Sequence, residues 1–199
     1  MRSHERFQAG AAGQPTLLLL HGTGGTEEDL LPIGHFLAPQ TNLLSLRGQV
    51  TIQGRTQFFA ASADAAAIKT QVTWLVETVQ ARCRQYHLNP QTVIPVGYSN
   101  GADFALAALG AASPFPAAVL LHPTTPLPLK LQLVGKALWA SHGTHDDKVN
   151  AASFAALTEQ ITSSGGQLTT FHHDQRHNLN ITELRQAKAW LAHFMEVAQ

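Results

Sequence analysis

The chain has little of what export, membrane insertion or nucleic-acid binding requires. Cys83 is the only cysteine, so no internal disulfide can form, which fits a reducing compartment. Charged residues make up only 13% of the chain, and thirteen basic residues balance thirteen acidic ones. That balance removes any electrostatic case for a nucleic-acid or anionic membrane partner. The opening Met1-Arg2-Ser3-His4-Glu5-Arg6 carries no apolar h-region, and the longest apolar runs are only strand-sized, so neither a secretion signal nor a spanning helix is expected. No internal repeat, low-complexity tract or charge run is present. These absences together lead to the expectation of a cytoplasmic protein.

What is present is apolar and alternating. Hydrophobic residues account for 44% of 199 residues, enough to bury a substantial core in one domain spanning 1–199. Short apolar runs predict strands near residues 16–20, 42–46, 92–96, 117–121, 136–141 and 167–171, each apolar enough to be buried on both faces. Phe7 marks a further short edge strand. Thr26 and Asp29 read as a capping box opening a helix to about Leu37. Ile68, Val72, Leu75, Val76, Val79 and Cys83 share one face of a longer helix capped in the Ser62 region. Phe154, Leu157 and Ile161 stripe another, and Asn180 with Glu183 opens a last one carrying Leu184, Ala187, Leu191 and Phe194. Such alternation predicts an α/β fold, a mostly parallel sheet with helices on both sides. Two irregular connections, Arg47 to Ala61 and His122 to Val134, are too short for a separate cap domain, and both leave the carboxyl ends of strands, where ligands bind in such sheets.

The densest chemical signal is Gly97-Tyr98-Ser99-Asn100-Gly101, directly after the run Val93-Ile94-Pro95-Val96 and before the Ala- and Leu-rich segment 102–109. A strand that reverses this tightly into a helix forces its serine into a strained backbone and leaves no room for bulk two residues before or after it. Gly97 and Gly101 meet that need, and Ser99 lands near a helix N-terminus, where N–H groups favour developing negative charge. A second turn, His21-Gly22-Thr23-Gly24-Gly25, follows the run Leu17-Leu18-Leu19-Leu20. Glycines there let backbone N–H groups turn inward, so Thr23 and Asn100 are the candidate oxyanion donors. A phosphate-binding loop is the rival reading; neither G-x-G-x-x-G nor Gly-Lys-Ser/Thr occurs.

A serine hydroxyl is a weak nucleophile and needs a base oriented by an acid. Asp146 lies in His142-Gly143-Thr144-His145-Asp146-Asp147, just beyond a strand, and His177 lies between the last strand and the last helix. Asp147 competes with Asp146 for the acid, and His172 and His173 compete with His177 for the base. Strand alternation sends His172 and His173 to opposite faces, and a loop position better suits a base that must reach the tight turn of Ser99, the serine elbow. His21 and His142 read as hydrogen-bonded structural residues. The same clusters admit a metal-dependent hydrolase, with His142, His145, Asp146 and Asp147 or His172, His173, Asp174 and His177 as ligands, but that reading leaves the serine elbow idle. A hydrolase fold kept only for binding is the other alternative, and no member of the serine constellation is missing.

The combination Leu-Leu-His-Gly-Thr-Gly-Gly, Gly-Tyr-Ser-Asn-Gly, His-Gly-x-x-Asp and a histidine shortly before the last helix resembles the carboxylesterase and acyl-protein thioesterase branch of the α/β-hydrolases. The resemblance runs from about Phe7 to the last helix. It implies an α/β-hydrolase fold of six to seven strands without a cap domain, with Ser99 as nucleophile, Asp146 as acid, His177 as base and Thr23 and Asn100 as oxyanion donors. The implied activity is serine-dependent hydrolysis of small or medium carboxylic esters through an acyl-enzyme, with thioesters as the nearest alternative substrates and no cofactor or metal. Tyr98, Phe58, Phe59, Leu127 and Leu129 are the candidate pocket walls. Arg47-Gly48 resembles an Arg-Gly or Arg-Ala step of relatives, whereas Arg176 stands where many of them carry glycine before the base. Relatives of this size often form dimers, so a homodimer is expected. The rate is expected to rise with pH through a group of about 6.5 to 7.

Overall fold

A computed structural model describes residues 4–197. The chain runs β1 (Glu5–Gln8), β2 (Thr16–Leu20), α1 (Leu31–Leu37), β3 (Asn42–Leu46), β4 (Val50–Ile52), β5 (Arg55–Gln57), α2 (Ala65–Tyr86), β6 (Val93–Tyr98), α3 (Asn100–Leu109), β7 (Ala117–Leu121), β8 (Ala137–Gly143), α4 (Ala151–Ser163), β9 (Gln167–His173) and α5 (Ile181–Val197). Seven strands form one sheet in the order β1-β3-β2-β6-β7-β8-β9, all parallel except the antiparallel edge strand β1. This is the expected mostly parallel α/β sheet, and the residues around Phe7 do form its edge.

The period of two along each strand divides the core. Leu18 and Leu20 join one apolar cluster with Ile68, Val72 and Val79 of α2 and Phe154 and Leu157 of α4, while Leu17 and Leu19 join the opposite cluster with Leu184, Ala187 and Leu191 of α5. Ala118 and Leu120 of β7 face the first layer, and Ala117, Val119 and Leu121 face the second. All four β2 leucines are fully buried, each worth roughly 2 kcal/mol relative to exposure. Continuous apolar runs are therefore required here, because both faces are covered.

The start of α1 differs from the sequence expectation. Thr26 and Asp29 do bond, Oγ1 donating to Oδ1 at 2.7 Å, but they close a turn, and α1 begins only at Leu31. Pro32 explains this: lacking an N–H, it fits the first turn of a helix and not its interior. The cap of α2 falls in the expected Ser62 region, at Asp64, its Oδ1 accepting from the Ala67 N–H at 2.8 Å. The segment after β3 also holds more order than expected. β4 and β5 pair antiparallel through a turn at Gln53 (φ 49°) and Gly54 (φ 75°), which matches a hairpin's need for left-handed central residues.

Candidate active site

The reversal after β6 is as tight as its glycines predict. Ser99 sits at φ 55° and ψ −121°, a strained conformation for a residue with a side chain. A Cβ on Gly97 would stand 2.1 Å from the Gly101 carbonyl oxygen, and one on Gly101 would stand 2.0 Å from that of Leu20. Either methyl would push β6, α3 and β2 apart. Ser99 is thereby raised at the carboxyl end of the sheet, with the first turn of α3 directly behind it.

Two loops from the same end of the sheet converge on it. The hydroxyl of Ser99 donates to His177 Nε2 at 2.9 Å, and His177 Nδ1 donates to Asp146 Oδ2 at 2.7 Å. Asp146 is itself held at the loop after β8, its Oδ1 accepting from the N–H groups of Lys148 (2.8 Å) and Val149 (3.0 Å). Burial alone would raise its carboxyl. The hydrogen bonds from His177, the two N–H groups and His122 outweigh that and hold it at about 2. His177 is lowered from its ordinary value, because burial disfavours the imidazolium more than Asp146 supports it.

The competing residues go elsewhere. Asp147 is exposed and lies 3.8 Å from the exposed Arg176 guanidinium. His172 faces out beside His142 and Phe154, and His142 donates from Nε2 to the Val149 carbonyl at 2.9 Å. His145 bonds the Asp174 carbonyl at 2.7 Å, and among the described residues the donor atoms of neither four-residue metal set come together. The donor atoms of His122, Asp146 and His177, and those of His122, His173 and Glu183, do come within 4.8 Å of one another. Hydrogen bonding accounts for both groups. His21 is likewise structural, with Nδ1 donating to the Gly22 carbonyl at 2.7 Å and Nε2 accepting from the Gly48 N–H at 3.0 Å.

The glycine-rich turn after β2 is clamped by the β4–β5 hairpin. The Gly24 N–H donates to the Thr56 carbonyl (2.7 Å), Thr56 Oγ1 donates to the Gly25 carbonyl (2.5 Å), and Arg55 Nη2 donates to the Thr23 carbonyl (3.1 Å). Arg47 pairs with buried Glu27, and Gly48 approaches the Gln57 backbone so closely that a Cβ would stand 2.4 Å from its carbonyl oxygen. The Arg-Gly step thus seats the hairpin on the turn. Among the described residues the N–H groups of Thr23 and Asn100 have no hydrogen-bond acceptor, leaving both free for a ligand. Both polar atoms of the Asn100 side chain are engaged: Oδ1 accepts from the Phe58 N–H at 2.8 Å and Nδ2 donates to the Phe59 carbonyl at 3.0 Å.

That tether draws Phe58 and Phe59, two of the expected pocket walls, into the core. Phe58 is fully buried, stacked on Phe104 at 4.8 Å, and Phe59 and Leu127 pack in the same apolar cluster. An aromatic pair in a loop looks like a binding surface in sequence, but here its backbone is pinned and its rings close the core. Leu127 is held by Gln160 of α4, which accepts from its N–H at 2.9 Å and donates to its carbonyl at 2.7 Å. Leu129 packs against the same cluster, partly buried. Tyr98 is half-buried, with its hydroxyl donating to the His177 carbonyl at 2.8 Å. A cavity of about 930 Å³ between β1, the hairpin and α2 contains none of Ser99, Asp146 or His177, and its Arg82 and Arg47 are paired with Glu5 and Glu27.

The sequence reading missed His122 and underread Glu183. His122 directly follows β7 at φ 50°, and its side chain is fully buried. Its Nδ1 lies 3.2 Å from Asp146 Oδ2, and its Nε2 lies 3.3 Å from Glu183 Oε1 and 3.2 Å from His173 Nε2. Glu183 opens α5 in a reciprocal box with Asn180 and also accepts from the Ser141 hydroxyl, buried on all sides. A histidine directly after an apolar strand and before Pro123 is the signal that marks the sheet's ligand-binding end.

No family model matches the chain. The Bacillus subtilis (strain 168) protein named Putative hydrolase MhqD is 32% identical over 181 residues, covering 87% of this chain and 90% of that one. The crystal structure of the Bacillus cereus carboxylesterase superposes with a TM-score of 0.88 at 29% identity, covering 96% of this chain and 94% of that one. YahD, solved with malic acid, also superposes at 0.88 and 29% identity, covering 96% of this chain and 98% of YahD.

Proposed function

The chain belongs to the α/β-hydrolase esterase family, and we propose that it hydrolyses small or medium carboxylic esters through Ser99, His177 and Asp146. The observation that carries this reading is the unbroken chain from Ser99 Oγ to His177 Nε2 (2.9 Å) and from His177 Nδ1 to Asp146 Oδ2 (2.7 Å). Ser99 Oγ attacks the acyl carbon while its proton passes to His177 Nε2, and the carbonyl oxygen takes the negative charge. The free N–H groups of Thr23, in the turn the hairpin clamps, and of Asn100, at the start of α3, receive that charge, so little reorganisation is needed as it develops. Collapse of the tetrahedral species breaks the ester C–O bond, and the alkoxide leaves as alcohol with the proton from His177. Water then loses a proton to the same imidazole and attacks the acyl-enzyme; the acid departs, and the proton returns to Ser99. Asp146 stays ionised throughout, which suits a carboxyl held at about 2. Its role is to keep the Nδ1–H tautomer and stabilise the imidazolium.

The test is labelling together with turnover. An alkyl fluorophosphonate should modify Ser99 alone, and Ser99→Ala should remain folded, escape labelling and lose hydrolysis of chromogenic esters by orders of magnitude. Exhaustive chelation should leave the wild-type rate unchanged. Turnover persisting in the alanine variant, or activity lost to chelator and restored by zinc, would overturn the reading.

A further inference from the structure

We propose that His122 is a positioning residue, held as an imidazolium between Asp146 and Glu183, that competes with His177 for one oxygen of Asp146 and so sets how strong a base His177 is. The inference rests on the reading of His177 as the base. Both histidines direct Nδ1 at the same atom, Asp146 Oδ2, at 2.7 Å for His177 and 3.2 Å for His122. The other nitrogen of His122 faces a second carboxylate oxygen, Glu183 Oε1, at 3.3 Å. A ring with a carboxylate against each nitrogen satisfies both only when both carry protons.

The groups around His122 come from every neighbouring element. Asp146 faces it from the loop after β8, Glu183 from α5, His173 from β9, His177 from the loop before α5 and Tyr98 edge-on from β6. Burial disfavours its charge, yet the hydrogen bonds and charges of Glu183 and Asp146 outweigh burial and raise it above the ordinary histidine value. His173 is lowered, chiefly by burial, and therefore adds no second cation near neutral pH.

Two consequences for His177 have the same sign. The two imidazole rings are 5.1 Å apart, so a fixed cation at His122 opposes protonation of His177. By also occupying Asp146 Oδ2, His122 weakens the acceptor that would otherwise support His177 as a cation. Loss of the His122 charge should therefore make His177 more basic.

The substitution that isolates this effect is His122→Asn. Asparagine tolerates the left-handed backbone at this position, and its amide can donate toward Asp146 without a charge. In kcat/KM against pH, the acid limb of the variant should move upward by roughly one unit, the size expected of one screened charge at this distance. A side chain that only fills space would, when replaced, lower the plateau without moving the limb. An acid limb that stays put or moves down in a folded variant would overturn the proposal.

Imidazole ¹⁵N NMR of the wild-type protein decides the matter even if the variant does not fold. His122 should carry protons on both nitrogens at pH 7 and titrate above His177. A neutral His122 whose Nε2 accepts from His173 would overturn the proposal, as would one equivalent of zinc on His122, His173 and Glu183 in protein purified without chelator. These outcomes are separate from the reading they rest on: absence of esterase activity, or activity surviving in Ser99→Ala, would remove the role of His177 while the NMR still reports the state of His122.

Discussion

Tyr98 reaches across the site from the residue before the elbow serine and donates its hydroxyl to the backbone carbonyl of His177 at 2.8 Å, with its ring 5.5 Å from the imidazole. The elbow thus holds the loop that carries the histidine. Burial, with the charges of Glu183 and Asp146 behind it, raises the phenol to about 12, so it remains a donor over any practical assay range. Tyr98→Phe keeps the ring and removes only the tether. We expect a stability loss of about 1 kcal/mol and a fall in kcat of roughly 3- to 10-fold, with a smaller change in KM, because orientation of the base rather than substrate binding is disturbed. Urea titration and steady-state kinetics on one chromogenic ester check both, and an unchanged kcat would show that the loop does not depend on Tyr98.

The three polar residues in line should behave as a unit. His177→Ala should cost about 10⁴-fold in kcat, nearly as much as loss of the serine, and Asp146→Ala somewhat less, since the base survives without its tautomer control. Asp147→Ala and His172→Ala, which alter exposed side chains outside the hydrogen-bonded line, should stay within about threefold of wild type. Circular dichroism confirms folding before the rates are compared. An inactive Asp147→Ala beside an active Asp146→Ala would reverse the assignment of the acid.

Sequence alone carries this site unevenly, for a physical reason. The elbow is legible because its constraint is local: Gly97 and Gly101 are needed where a Cβ would collide at 2.1 and 2.0 Å with backbone already in place. The sheet is legible because a strand covered on both faces must be apolar throughout, as in Leu17 to Leu20. His122 and Glu183 are not legible, because what matters about them is mutual. They lie 61 positions apart, one at a strand end and one in what reads as an ordinary cap, and only the crossover from β7 to α5 brings them to 3.3 Å. Phe58 and Phe59 mislead for the same reason. Their backbone is bonded by Asn100, 41 and 42 positions away, and that contact turns an apparent loop surface into core.

The pH dependence should depart from that of an isolated imidazole. Only neutral His177 can accept the serine proton, so the rate falls as pH drops through its folded value. Burial lowers that value below the ordinary 6.5, and Asp146 only partly offsets it. The acid limb of kcat/KM should therefore lie below about 6.5, rather than at the 6.5 to 7 that sequence alone suggests. A profile measured from pH 4.5 to 8 with a neutral ester decides it; a midpoint above 7 would mean that the pull of Asp146 prevails over burial.

Asp103 gives a prediction about stability instead of rate. It lies in the first turn of α3, buried, and holds the loop after β7 by accepting from the Thr124 N–H at 2.7 Å and the Thr124 hydroxyl at 2.5 Å. Burial pushes its carboxyl up to about 7, against the lowering effect of the bonds to Thr124 and Thr125. Between the unfolded value of 3.8 and about 7 the folded protein keeps a proton that the unfolded chain releases. Stability must then decline as pH rises through that window and level off above it, by on the order of 2 to 3 kcal/mol between pH 5 and 8.5. Asp103→Asn retains an acceptor for the Thr124 N–H and offers its amide to the threonine oxygen, with no ionisation to suppress. Urea titrations at both pH values should show the variant's stability margin over wild type growing by about 2 to 3 kcal/mol from pH 5 to pH 8.5. Parallel stability curves for the two proteins would mean that Asp103 is ionised in the fold across the whole range, and that its bonds to the Thr124 segment, rather than burial, govern its charge.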